Sequence, residues 1–176
     1  WYTDANPLSL APVGGNVPAT TISVRLNATV AGTYNGNIVN ASSGATDVSV
    51  ALSGTAVPPP SITVTGTLNT FSQTVGAPSA IQTYTIAGAN LTGNITITPP
   101  ANYQVSSNGG TTWSSSATLA PTSGTIATTT ISVRLNASTA GTYSGNISNA
   151  TSGGNTVNVA VTGTTVTQPA ITVTGS

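Results

Sequence analysis

One segment of this chain occurs twice. Ile22-Ser23-Val24-Arg25-Leu26-Asn27-Ala28 returns as Ile131-Ser132-Val133-Arg134-Leu135-Asn136-Ala137, an offset of 109 residues (131 − 22). The offset persists downstream. Ala31-Gly32-Thr33-Tyr34 returns at 140–143, Gly36-Asn37-Ile38 at 145–147, and Ile62-Thr63-Val64-Thr65-Gly66 at 171–175. Aligning 20–66 with 129–175 gives 32 identities in 47 positions, which low complexity alone does not produce. Solenoid repeats have periods of roughly 20–50 residues, so a period of this length is that of an entire domain.

The repeat sets the expected organisation. One complete unit spans 58–166, residues 1–57 are the C-terminal half of such a unit, and 167–176 begin the next. Pro58-Pro59-Pro60, matched loosely by Thr167-Gln168-Pro169, marks the boundary, because proline stiffens a linker and blocks strand pairing. Residues 1–57 then need a first half from a preceding segment or from another molecule. The opening on Trp1, without an initiator Met or a signal peptide, fits a mature or excised piece.

Within 58–166, apolar residues alternate with Thr, Ser, Asn and Gln between Gly- and Pro-bearing turns, the period-two pattern of half-buried strands. Strands are predicted at 61–65, 81–87, 94–98, 103–106, 129–135, 142–149 and 156–162. Their inward residues are Ile62/Val64, Tyr84/Ile86, Ile95/Ile97, Tyr103/Val105, Ile131/Val133/Leu135, Tyr143/Ile147 and Val157/Val159/Val161. Seven or eight short strands with no helical period predict an all-β chain of tandem immunoglobulin-like β-sandwich repeats of about 109 residues, with Greek-key connections. The stretch 140–147, copied at 31–38, has the pattern of a tyrosine corner, in which a Tyr hydroxyl bonds backbone upstream. A Gly-rich turn, Asn108-Gly109-Gly110, precedes Trp113. Two readings of Trp113 are open, a core plug or an exposed ligand platform, and the scarcity of aromatics favours the plug.

Composition limits chemistry. The charged side chains are Asp4, Asp47, Arg25 and Arg134, with no Lys, Glu, His or Cys. A Ser-His-Asp set cannot be assembled, and the repeat reproduces neither Asp, so no paired carboxylates are expected. The chain is therefore expected not to be an enzyme. No cofactor is expected, and zinc or transition metals lack ligands. Two Arg at zero net charge cannot supply the phosphate contacts of a nucleic-acid binder. No apolar run of about 18 residues is present, so no membrane-spanning helix is expected. Lys–Asn cross-links are excluded as well, which leaves packing and backbone pairing to hold the fold.

Phe71-Ser72-Gln73-Thr74-Val75-Gly76, Tyr84-Thr85-Ile86-Ala87-Gly88-Ala89-Asn90-Leu91, Pro100-Ala101-Asn102-Tyr103-Gln104-Val105-Ser106 and Gly141-Thr142-Tyr143-Ser144-Gly145-Asn146-Ile147, with the Ile-Ser-Val-Arg-Leu and Ile-Thr-Val-Thr-Gly segments, resemble the Ig-like tandem repeats of Bacteroidetes cell-surface proteins. That group includes the large gliding-motility adhesins exported by type IX secretion. The resemblance implies a secreted, cell-surface, multi-domain filament or stalk and carries over no catalytic or binding residue.

The remaining candidates each have a functional and a structural reading. Arg25 and Arg134 share one slot, outward between Val and Leu. They are either a repeated contact for an anionic glycan or a neighbouring domain, or charges that blunt a strand edge. Outward Thr63/Thr65, Thr83/Thr85 and Thr96/Thr98 form arrays suited to ice or crystalline polysaccharide, and are also what an uncharged β-face must use. Asn-x-Ser/Thr occurs seven times, but only Asn27/Asn136 and Asn40/Asn149 recur in both copies as glycosylation candidates. The sequence thus points first to a structural or adhesive extracellular element, its partners being neighbouring repeats, other copies of itself, or surface glycans. A strand-complemented self-assembling fibre and a glycan- or ice-binding module are the alternatives.

Overall fold

The computed structural model describes residues 7–173, which form eleven β-strands and no helix. Asp4 and positions 174–176 lie outside the described residues. The chain divides into two compact units, at Val57 and Pro58.

The second unit holds nine strands: β3 (Ser61–Thr65), β4 (Phe71–Thr74), β5 (Gln82–Ala89), β6 (Ile95–Thr98), β7 (Tyr103–Ser106), β8 (Ala117–Leu119), β9 (Ile126–Leu135), β10 (Gly141–Ala150) and β11 (Val157–Val166). They form a five-stranded sheet in the order β4-β11-β10-β6-β8 and a four-stranded sheet in the order β3-β5-β9-β7. All pairings are antiparallel except β11 with β4, which run parallel from Gly163↔Phe71 to Val166↔Thr74. One core lies between the sheets. The five-stranded sheet supplies Phe71, Ile95, Ile97, Ile147, Val159 and Val161, the other Tyr84, Ile86, Tyr103, Val105, Ile131, Val133 and Leu135. Ile62, Val64 and Tyr143, expected inside, are partly buried against that cluster.

Polar groups cross the core in pairs, because an unpartnered polar atom there is costly. Tyr84 donates its hydroxyl to Asn149 Oδ1 at 2.8 Å, and Tyr103 donates to the Tyr143 carbonyl at 3.0 Å. Gly163 makes the second bond feasible: a Cβ there would stand 2.8 Å from the Tyr103 hydroxyl and from Leu135 Cδ2. Gln73 imitates a strand, accepting from the Ala137 N–H at 3.1 Å and donating to its carbonyl at 2.6 Å. Both β4 and β8 were absent from the predicted strands. Each is three or four residues long and owes its pairing to a remote strand, which period-two alternation cannot reveal.

The first unit holds one antiparallel hairpin, β1 (Gly32–Asn40) and β2 (Val48–Ala56), paired from Gly32↔Ala56 to Asn40↔Val48. Shifted by 109, this is the β10–β11 register, Gly141↔Thr165 to Asn149↔Val157. The tyrosine corner is present in both: Tyr34 donates to the Val30 carbonyl at 2.7 Å, and Tyr143 to the Thr139 carbonyl at 2.9 Å. Residues 22–28 differ from their copy. Of their counterparts, 131–135 lie in β9 with Ile131, Val133 and Leu135 at 0% exposure, whereas 22–28 form no strand and Ile22, Val24 and Leu26 are 44%, 51% and 48% exposed. Strand β9 is made by β5 on one side and β7 on the other, and among the described residues β1 and β2 pair only with each other.

Candidate functional site

On the outer face of the four-stranded sheet, Gln104 of β7 stands opposite Arg134 of β9. Arg134 Nε donates to Gln104 Oε1 at 2.8 Å, and Asn136 Nδ2 reaches the same oxygen at 3.3 Å. The Arg134 guanidinium carbon lies 4.3 Å from the Trp113 ring centroid, a cation–π contact. Ser106 fixes the intervening turn, accepting from the N–H groups of Asn108 at 3.3 Å and Gly110 at 2.9 Å. Asn108 continues the brace, its Oδ1 accepting from the Thr112 N–H at 3.0 Å. The two Val105–Ser114 backbone bonds then set Trp113 beside the sheet. Gly110 sits at φ +86°, which strains any residue with a side chain, and a Cβ there would press on Trp113 Cζ2 at 3.2 Å.

Trp113 is therefore half-buried on the sheet surface and absent from the core, contrary to the plug reading. Tyr84, Phe71 and Tyr103 fill the centre instead, Phe71 and Tyr103 meeting edge to face at 5.6 Å. Arg134 points outward as expected, with its charge spread over an aromatic face and an amide oxygen. Arg25 lies exposed on a segment that is not a strand, so the two Arg share a sequence slot but not a secondary structure. The roles of Gln104 and Ser106 are not visible in the sequence, because they depend on the β7–β9 register and on a turn braced by its own side chains.

The sequon asparagines also separate. Asn27, Asn40 and Asn136 are exposed, but Asn149 is at 0% exposure. Its amide donates to the Val157 carbonyl at 2.9 Å and its Oδ1 accepts from Tyr84, so the folded unit presents no acceptor there. Asn40 makes the matching bond to the Val48 carbonyl at 3.0 Å. The Thr arrays split as well: Thr63, Thr65, Thr83 and Thr85 lie in the four-stranded sheet and Thr96 and Thr98 in the five-stranded one, so they do not build a single flat face.

Among the described residues, burial sets the marked acid–base shifts. Desolvation raises the Tyr84 hydroxyl well above the ordinary tyrosine range despite its bond to Asn149, and pushes Tyr103 up to about 12. Both tyrosines belong to the core. A second surface is apolar: on the first unit, Ile22, Val24, Leu26, Val50 and Leu52 are all exposed. No family model matches the chain, and no curated protein matches it.

Proposed function

We propose that this chain is a segment of an extracellular structural or adhesive element, built of serial immunoglobulin-like repeats, whose mechanism is spacing. The observation that carries the reading is that copies 109 residues apart form the same hairpin, in the same register, with the same tyrosine corner. The sheet orders support the immunoglobulin-like assignment. β3-β5-β9-β7 and β11-β10-β6 follow the ABED and GFC orders of such sandwiches, with β4 as an added edge. The connectivity departs from it at β8, since the chain crosses to the four-stranded sheet at β7 and returns to the five-stranded one before β9. A surface made of hydroxyls and amides suits varying salt, and two Arg offer little to trypsin-like proteases. The braced Trp113–Arg134 pair supports a structural reading of that face, because the ring is already covered by the protein's own cation.

The test is length. Chains carrying one, two and four copies of 58–166 are imaged by electron microscopy, and rods that lengthen by a constant increment are expected. Compact particles whose size does not follow repeat number would refute a spacer. Glycan binding that is lost on Trp113→Ala would replace it with a binding module.

A further inference from the structure

The first unit carries an apolar face that its described residues leave open. Val50 and Leu52 are 52% and 37% exposed, where Val159 and Val161 at the same repeat positions are 6% and 1%. The face is nonetheless preformed. The hairpin register is already that of β10–β11, and Leu26 lies over Gly54 as Leu135 lies over Gly163, the Cδ2 atoms 3.2 and 2.8 Å from where a Cβ would stand. A lone two-stranded hairpin is marginal in water, so such a face calls for a cover.

The chain itself contains the pattern of that cover. In the second unit the same face is sealed by β3 to β8, all from residues 58–125. We infer that residues 22–57 are the seat for a segment of the 58–125 type, the first half of another repeat; this rests on the serial-repeat reading above. Transposing the observed registers by 109 gives the contacts. A Phe71-type strand adds parallel to β2 at 54–57, and an Ile97-type strand adds antiparallel to β1 opposite Asn40. Residues 22–26 become a strand between a β5-type neighbour, with Ile22 opposite a Tyr84-type residue, and a β7-type neighbour, with Leu26 opposite a Tyr103-type residue.

Two features define the partner further. Residues 58–125 contain no Asp, Glu, Lys or Arg, so docking proceeds by apolar burial and backbone pairing and is insensitive to salt. A second copy of residues 1–176 is not the occupant. These 176 residues hold one such first half, already packed on its own β9, β10 and β11, and two sequences able to receive it, so exchange between such copies leaves one face open on each.

The experiment joins residues 58–109 ahead of Trp1, which keeps the 109-residue phase because Trp1 corresponds to Gly110. Amide hydrogen exchange is compared with that of the 176-residue chain. Exchange at 22–26, 33–39 and 49–56 is expected to slow by about a thousandfold or more, toward the rates at 131–135, 142–148 and 158–165. Unchanged exchange there overturns the proposal. A second measurement covers misfolding of the joined chain: a separately made 58–125 polypeptide is titrated onto isotope-labelled 176-residue chain. NMR shifts confined to 7–57, equal in 0.05 and 0.5 M salt on the order of the usual screening range, support the seat. Shifts confined to 58–166, or none, refute it. Dimers of the 176-residue chain alone that protect 22–57 would also refute it, by making a second copy the occupant. Failure of the length test with slowed exchange would remove the spacer reading and leave the seat intact.

Discussion

Leu26 and Leu135 occupy the same place in an identical heptapeptide, so truncating each to alanine isolates what tertiary context contributes. Leu135 is at 0% exposure and packs over Gly163, whose missing side chain offers nothing to collapse into the space left behind. Leu→Ala at buried sites costs about 2–5 kcal/mol, a transfer loss plus a cavity that does not close, and this geometry places Leu135→Ala near about 4 kcal/mol. For a unit of this size that lowers Tm by about 15 °C. Leu26 is 48% exposed, so Leu26→Ala forfeits about half of a full burial and leaves no dry cavity, a loss of about 1 kcal/mol or less. The assay is urea denaturation followed by NMR, reading the amides of Val133, Ile147 and Val161 for one substitution and those of Ile38 and Leu52 for the other. Equal costs for the two substitutions, or a cost under about 1 kcal/mol for Leu135→Ala, would refute the reasoning.

Other outcomes follow from polar groups in the core. The Tyr84 and Tyr103 hydroxyls are raised by burial, so below the ordinary value near pH 10 both are protonated in the folded and the unfolded chain and add no pH dependence to stability. Above pH 10 the unfolded chain releases protons that the folded one keeps, and the urea midpoint of 58–166 is expected to fall through pH 12; Tyr84→Phe should remove the larger part of that decline. The same variant leaves Asn149 Oδ1 without its donor, and should cost about 1–3 kcal/mol at pH 7 in equilibrium urea unfolding. Thr165 Oγ1 is buried with no hydrogen-bond partner, and the first copy has Ala56 at this position. Thr165→Val keeps the shape and removes the stranded hydroxyl, so the calorimetric Tm should rise, by an amount matching about 1 kcal/mol.

What the sequence determines by itself is everything closed by short-range contacts. The Tyr34 and Tyr143 corners span four residues, and each hairpin closes within 25, so both copies form them whether or not a core is present. A turn signal that the alignment of 20–66 did not include belongs here too: Leu10-Ala11-Pro12 matches Leu119-Ala120-Pro121, and the bridges Val13↔Asn16 and Thr122↔Thr125 close the same turn in both copies. Inward faces were legible for the same reason, since alternation assigns side even where pairing is unknown. Tertiary structure alone decided the rest. Residues 22–28 and 131–137 are identical, yet only the second copy enters a strand, at 131–135, because its backbone partners are Gln82 to Tyr84, roughly fifty residues away, and Tyr103 to Ser106. The parallel edge of Phe71–Thr74 on Gly163–Val166, the capture of Ala137 by Gln73, the burial of Asn149 and the Arg134 cover on Trp113 have the same origin. Each joins residues distant in the chain, whose pairing the local pattern does not encode. It arises only once two sheets enclose a core, and that is the feature residues 7–57 lack.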